Sequence, residues 1–144
     1  MGIRTGHEKM GNQFLKLSVK GSTEIEMCTM VAVDGEGYAV PASKKAGLKI
    51  AGQALEYVDN LNGEDGGAKI SVKRGTYLWN NDGTIKETDV LKECFIYDER
   101  TVTAASEGSS AAGIVLGLEG DCVVVDMMTH IYKEKEITVT NAAN

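Results

Sequence analysis

The side chains in this sequence that could do chemistry are few and far apart: His7, His130, Cys28, Cys94, Cys122 and Ser43. General-base and nucleophilic catalysis need a partner within hydrogen-bond reach. Neither histidine has one that its neighbours suggest: His7 lies in a loose, glycine-bearing start and His130 near the tail. The cysteines are odd in number, with no C-x-x-C spacing and no nearby histidine pair, which argues against a zinc site and against a disulfide framework. They read as reduced core residues of a protein made in a cytosol. A small hydrolase that draws on Ser43, Cys94 or His130 stays open as an alternative, because catalytic partners need not be neighbours in sequence.

Two glycine-bearing stretches match ligand loops only in part. In DGEGYAV, Asp34 to Val40, a G-x-G meets Val40 where a third glycine or alanine belongs, and no helix follows to present amides to a pyrophosphate. A hairpin turn accounts for it. In DNLNGEDGG, Asp59 to Gly67, Leu61 breaks the alternate-ligand spacing of a calcium loop and the bidentate glutamate is missing, which leaves a solvated loop. Tyr77 and Trp79 follow Lys73 and Arg74, as in a base-stacking strand, but aromatic residues make up 6% of the chain. Core packing or burial between subunits suits them better. Trp79 is expected at a subunit interface, because a small barrel has little room for an indole at its centre.

The elements that must position these residues are strands. FLKLSVKG alternates Leu15, Leu17 and Val19 against Lys16, Ser18 and Lys20, and such a strand can pair within its own sheet or with another chain. MCTMVAVDGEGYAVPAS reads as a strand through Val33, a turn at Asp34 to Gly37, and a short strand Tyr38 to Val40 stopped by Pro41. LKIAGQALEYVDN reads as a long strand from Gly47 to Val58, bent at Gly52. Ile70 and Val72 alternate with Lys69, Ser71 and Lys73, an aromatic strand follows, and Asn81-Asp82-Gly83 turns. Thr88 or Asp89 caps a short helical turn ahead of the strands Cys94 to Tyr97 and Thr101 to Thr103. Gly113 to Leu118 and Cys122 to Asp126 flank a reversal at Glu119-Gly120, and the run CVVV suggests a strand buried on both faces. The end alternates again at Ile137 and Val139, as an edge strand or an ordered tail.

Strands at this spacing, with glycine turns and little helix, predict a mainly β fold: a small β-sandwich or barrel-like domain with at most one or two short helices. The chain of 144 residues suits one such body, 21–128, with an extended N-terminal arm, 1–20, and a C-terminal strand or tail, 129–144. No apolar run reaches the roughly 18 residues of a membrane span, and the start has no apolar stretch of a secretory signal. Arg4, Lys9, Lys16 and Lys20 against Glu8 make the arm +3, so the overall charge of −6 leaves −9 on the remainder. An acidic body repels phosphates, which disfavours nucleic acid as its partner. The basic arm suits an acidic surface.

VAVDGEGYAVPASKKAGLKIAGQALEYVDN, GAKISVKRGTYLWNN and SAAGIVLGLEGDCVVVDM occur here in that order. Together they resemble a family of small proteins encoded beside the major capsid gene of tailed phages and prophages, the capsid decoration, cement or head-stabilisation proteins. The resemblance covers about Met30 to Met127. It rests on Gly37 to Ala42, Gly47-Leu48, Gly52 to Ala54, Val58 to Asn60, Val72 to Gly75 and Ala112 to Val115. It implies a β-rich body without enzymatic activity, cofactor, metal or small-molecule substrate. It also implies self-association, as a homotrimer, on the outer surface of the virion, after synthesis in the bacterial cytoplasm, with the major capsid protein as partner. Phe14, Leu15, Lys16, Leu17, Val19 and Lys20 are then the expected capsid-binding arm, and Tyr77 and Trp79 the subunit interface. A self-polymerising tail-tube or connector component is the alternative from the same setting.

Overall fold

The computed structural model describes residues 13–128. Twelve strands follow one another: β1 (Phe14–Ser18), β2 (Thr23–Ile25), β3 (Met30–Val33), β4 (Ala39–Pro41), β5 (Lys49–Ala54), β6 (Val58–Asn60), β7 (Lys69–Lys73), β8 (Thr76–Asn81), β9 (Glu93–Asp98), β10 (Thr101–Thr103), β11 (Ala111–Glu119) and β12 (Cys122–Asp126). A single 3₁₀ turn, Glu87–Asp89, precedes β9. The protein is mainly β, as its alternation and turns predict.

Three sheets share the strands. A five-stranded sheet has the order β1-β7-β5-β3-β4, a closed barrel runs β10-β8-β12-β11-β9, and β2 pairs with β6 alone. The five-stranded sheet is the middle layer. Met30 and Ala32 of β3 join the barrel core with Trp79, Ile96, Val115 and Val125, while Val31 joins a second core with Ile25, Val58, Ile70 and Val72 under the β2–β6 ladder. Both faces of β3 are therefore covered, which is why Met-Val-Ala-Val is apolar without alternation. The expectation of two buried faces for Cys-Val-Val-Val fails at β12. Val123 and Val125 fill the barrel while Cys122 and Val124 stand half-exposed on its outer wall, because no further layer of the described residues packs there.

Two glycines make the curvature possible. The bend expected at Gly52 is a bulge: Val31 faces Gly52 and Ala32 faces Ile50, so Ala51 is the extra residue. Gly52 has φ +148°, and a Cβ there would collide with the carbonyl of Lys73. Gly113 has φ +157°, sits at the β9–β11 bulge, and would collide with the carbonyl of Asp126. After Ala54 the chain leaves this sheet, so the long strand expected up to Val58 divides, and Val58–Asn60 pairs with β2 instead.

The last part of the arm expected over 1–20 is built into the body. β1 pairs antiparallel with β7 from Phe14↔Lys73 to Ser18↔Lys69, and Val19 is fully buried. β1 thus belongs to the body. The tail 129–144, with the expected strand at Ile137 and Val139, lies outside the described residues, as do His7 and His130.

Candidate functional site

The chemical candidates do not converge. Ser43 is exposed after β4, whereas Cys94 is buried inside the barrel, where burial and then the Glu93 charge push its thiol up to about 12. A thiol so held stays protonated at neutral pH and is a poor nucleophile. Cys28 is exposed and Cys122 half-exposed, so the expectation of core cysteines holds for Cys94 alone. Among the described residues no group of His, Cys, Asp and Glu is arranged to hold a metal ion, and no helix is long and apolar enough to cross a membrane. Open clefts of about 370 and 190 Å³ flank Asn80 and Arg100. Arg100 there is tied to Glu26 at 2.7 Å.

What the fold does assemble is surface, beginning with the β1 edge. β1 ends its sheet, and the N–H groups of Arg74 and Val19 donate to the carbonyls of Gln13 (2.6 Å) and Ala68 (2.9 Å). Bonded and non-bonded pairs alternate along an antiparallel ladder. The N–H and C=O groups of Phe14 and Lys16 therefore point away from β7 into an edge that no described strand covers, while past them the edge meets β4, where Val19 and Ala39 form a parallel bridge and the Lys20 N–H donates to the Ala39 carbonyl at 3.1 Å.

The six residues expected to bind through the arm separate by direction. Leu15 and Leu17 pack on the second core and Val19 is part of it, so these three are corrected from partner contacts to core residues. Phe14 and Lys16 face out. Lys20 is half-exposed and engaged: its ammonium lies 3.0 Å from Glu36, 3.7 Å from Asp65 and 3.8 Å from Asp34.

On the outward face Lys16 meets two lysines of β7. Lys16 donates to the Ser71 hydroxyl and Lys69 to the Ser18 hydroxyl, each at 3.1 Å, and the Lys73 ammonium lies 5.6 Å from the centre of the Phe14 ring. No described carboxylate pairs with any of the three. On the far side of the sheet, β2 and β6 place Glu24 directly opposite Asp59, both exposed. Tyr57 donates its hydroxyl to Glu24 at 2.6 Å. That bond, desolvation and the charges of Asp59, Glu24 and Glu26 push the phenol up to about 12.

Trp79, expected at a subunit interface, is buried within its own barrel. It is 5% exposed, within the barrel core, and its indole N–H donates to the Met127 sulfur at 3.2 Å. Room for it comes from small neighbours, since Ala32, Ala42, Cys94 and Ala112 share that core. Tyr77 is half-buried against it, with ring centres 5.9 Å apart, and its hydroxyl donates to the Lys73 carbonyl at 2.8 Å. This pair fastens the barrel to β7.

The lysine face escaped the sequence reading because Lys16 and β7 are far apart in the chain. KISVK places its lysines on the polar phase, but only pairing with β1 gathers them. Comparison with protein-family models, with curated proteins and with solved structures finds no match to this chain.

Proposed function

We propose that the protein is a structural virion component of a tailed phage, which binds the outer surface of the major capsid protein shell as a homotrimer and stabilises the expanded head by bridging capsid subunits. The observation that carries the proposal is the free edge of β1 at Phe14 and Lys16, two exposed residues whose outward backbone groups no described strand covers. An extended capsid segment adding to that edge would gain main-chain hydrogen bonds, and Lys16 would favour an acidic strand. The resemblance over Met30 to Met127 gives the partner its identity.

The body suits a clamp. Among the described residues no buried side-chain polar atom lacks a hydrogen-bond partner, so the edge is carried on a well-satisfied frame. Each docked copy contributes a modest binding energy, and repetition over a shell makes the sum large. A pressurised head must then break these added contacts before it opens.

The test is co-sedimentation of the purified protein with mature, expanded shells, followed by their temperature of DNA release. Binding with a raised release temperature supports the proposal; neither effect refutes it. Spontaneous rings or tubes without any shell would favour the tail-tube or connector alternative. Removing residues 1–20 would strip β1 and Val19 from the core, so a point change serves better. Lys16→Pro deletes one edge N–H and leaves the β1–β7 ladder intact.

A further inference from the structure

We propose that copies of this chain associate head to tail, the lysine face of β1 and β7 in one copy seating on the acidic outer face of β2 and β6 in the next. The inference rests on the self-association put forward above and assigns its surfaces. Both surfaces belong to one molecule, so their complementarity needs no outside partner.

The geometry favours repetition. Leu15, Leu17, Ile70 and Val72 turn toward the second core, which Ile25 of β2 and Val58 of β6 cover. Lys16, Lys69 and Lys73 therefore leave the opposite side of the same sheet. The two faces look away from each other, which excludes their meeting within one copy and suits a heterologous contact between copies. Such a contact closes into a ring where its rotation permits.

Each face is incomplete alone. The lysines carry no described carboxylate partner, while Glu24 and Asp59 stand directly opposite one another across a two-stranded ladder and take part in no described ion pair. Like charges in that position destabilise a ladder, and a facing ammonium relieves the repulsion. Apolar anchors accompany both signs: Phe14 is 50% exposed on the lysine face, and Tyr57 and Leu61 are 53% and 46% exposed beside the acids. Aromatic side chains of this kind are common interface anchors. The free edge of β1 lies in the plane of the sheet, perpendicular to its lysine face, so one copy can hold a capsid strand and a neighbour together.

Sedimentation velocity and native mass spectrometry of the full chain, over a concentration series, decide it. A discrete oligomer is expected for the wild type, weakened about ten-fold or more between about 0.05 M and about 0.5 M salt. The variant Lys16→Glu/Lys69→Glu/Lys73→Glu and the variant Glu24→Lys/Asp59→Lys should each be monomeric with wild-type circular dichroism. Their combination on one chain exchanges the signs of the faces and should associate again. Should that chain fail to fold, an equimolar mixture of the two separate variants should give mixed oligomers. A wild type that stays monomeric, a reversal on either face that leaves assembly intact, or neither combination restoring it would overturn the proposal. Shell binding is read separately: a monomer that binds shells removes this interface and keeps the capsid role, whereas an oligomer that ignores shells does the reverse.

Discussion

Replacing Asn60 should loosen the fold far more than a turn residue ordinarily does. Asn60 is 5% exposed, and its amide nitrogen donates to the carbonyls of Val19 (3.3 Å), Lys20 (3.1 Å) and Glu64 (2.9 Å). Gly63 and Gly67 close against its amide oxygen so tightly that a Cβ at Gly63 would collide with it. One side chain thus clamps the end of β1 to the loop after β6. Val19 and Glu64 keep a second donor each, from the N–H groups of Gly66 and Gly67 at 2.8 Å, so Asn60→Ala orphans chiefly the Lys20 carbonyl. Two lost amide hydrogens at about 1 kcal/mol each, plus that carbonyl, give a loss of about 2–3 kcal/mol. Asn60→Asp is nearly isosteric but turns an oxygen toward three carbonyl oxygens, and should cost about 1 kcal/mol more than alanine. Urea unfolding followed by the fluorescence of Trp79, the one tryptophan in the chain, measures both. An alanine variant within about 0.5 kcal/mol of wild type, or an aspartate variant as stable as asparagine, would refute the clamp.

Other perturbations bear on other parts of the structure. Gly52→Ala and Gly113→Ala should each lose about 2 kcal/mol or more in thermal melts, because a Cβ meets backbone across the ladder, whereas Gly35→Ala, facing open space, should stay within about 0.5 kcal/mol. Iodoacetamide at neutral pH should label exposed Cys28 and spare Cys94 until denaturant is added, and rapid native labelling of Cys94 would revive the hydrolase alternative. Burial raises Asp34 and Asp82, but the amides of Tyr38 and Glu36 with Lys20 for the first, and the hydroxyls of Thr103 and Thr84 for the second, outweigh it and hold both below 3.8. Their stabilisation is present above that value and is lost as pH falls through the lower folded values. Urea midpoints should accordingly drop toward pH 2, and Asp34→Asn should flatten that slope.

Local pattern was legible in the sequence and partnership was not. Leu15, Leu17 and Val19 announce a half-buried strand because alternation is a property of neighbours, yet nothing in them says that β7 lies alongside. Val123 to Val125 mislead for the same reason: an apolar run is the same letters whether or not a second layer covers it. Trp79 defeated a volume argument made without its surroundings, since the space comes from Ala32, Ala42 and Ala112, which are remote in sequence. The reversals at Gly37, Gly83 and Gly120 were readable, because a positive φ at a turn singles out glycine locally. The lysine face and the Glu24–Asp59 pair depend on register between distant strands, which composition does not encode.

The proposed capsid role is tested most directly by adding the purified protein to expanded shells of the tailed phage that the proposal implies and measuring bound copies and the DNA-release temperature. Saturable binding to the outer surface, a higher release temperature and a weaker grip by the folded Lys16→Pro variant are the predicted results. Shells that bind no protein, or that release DNA at an unchanged temperature when fully coated, would contradict it.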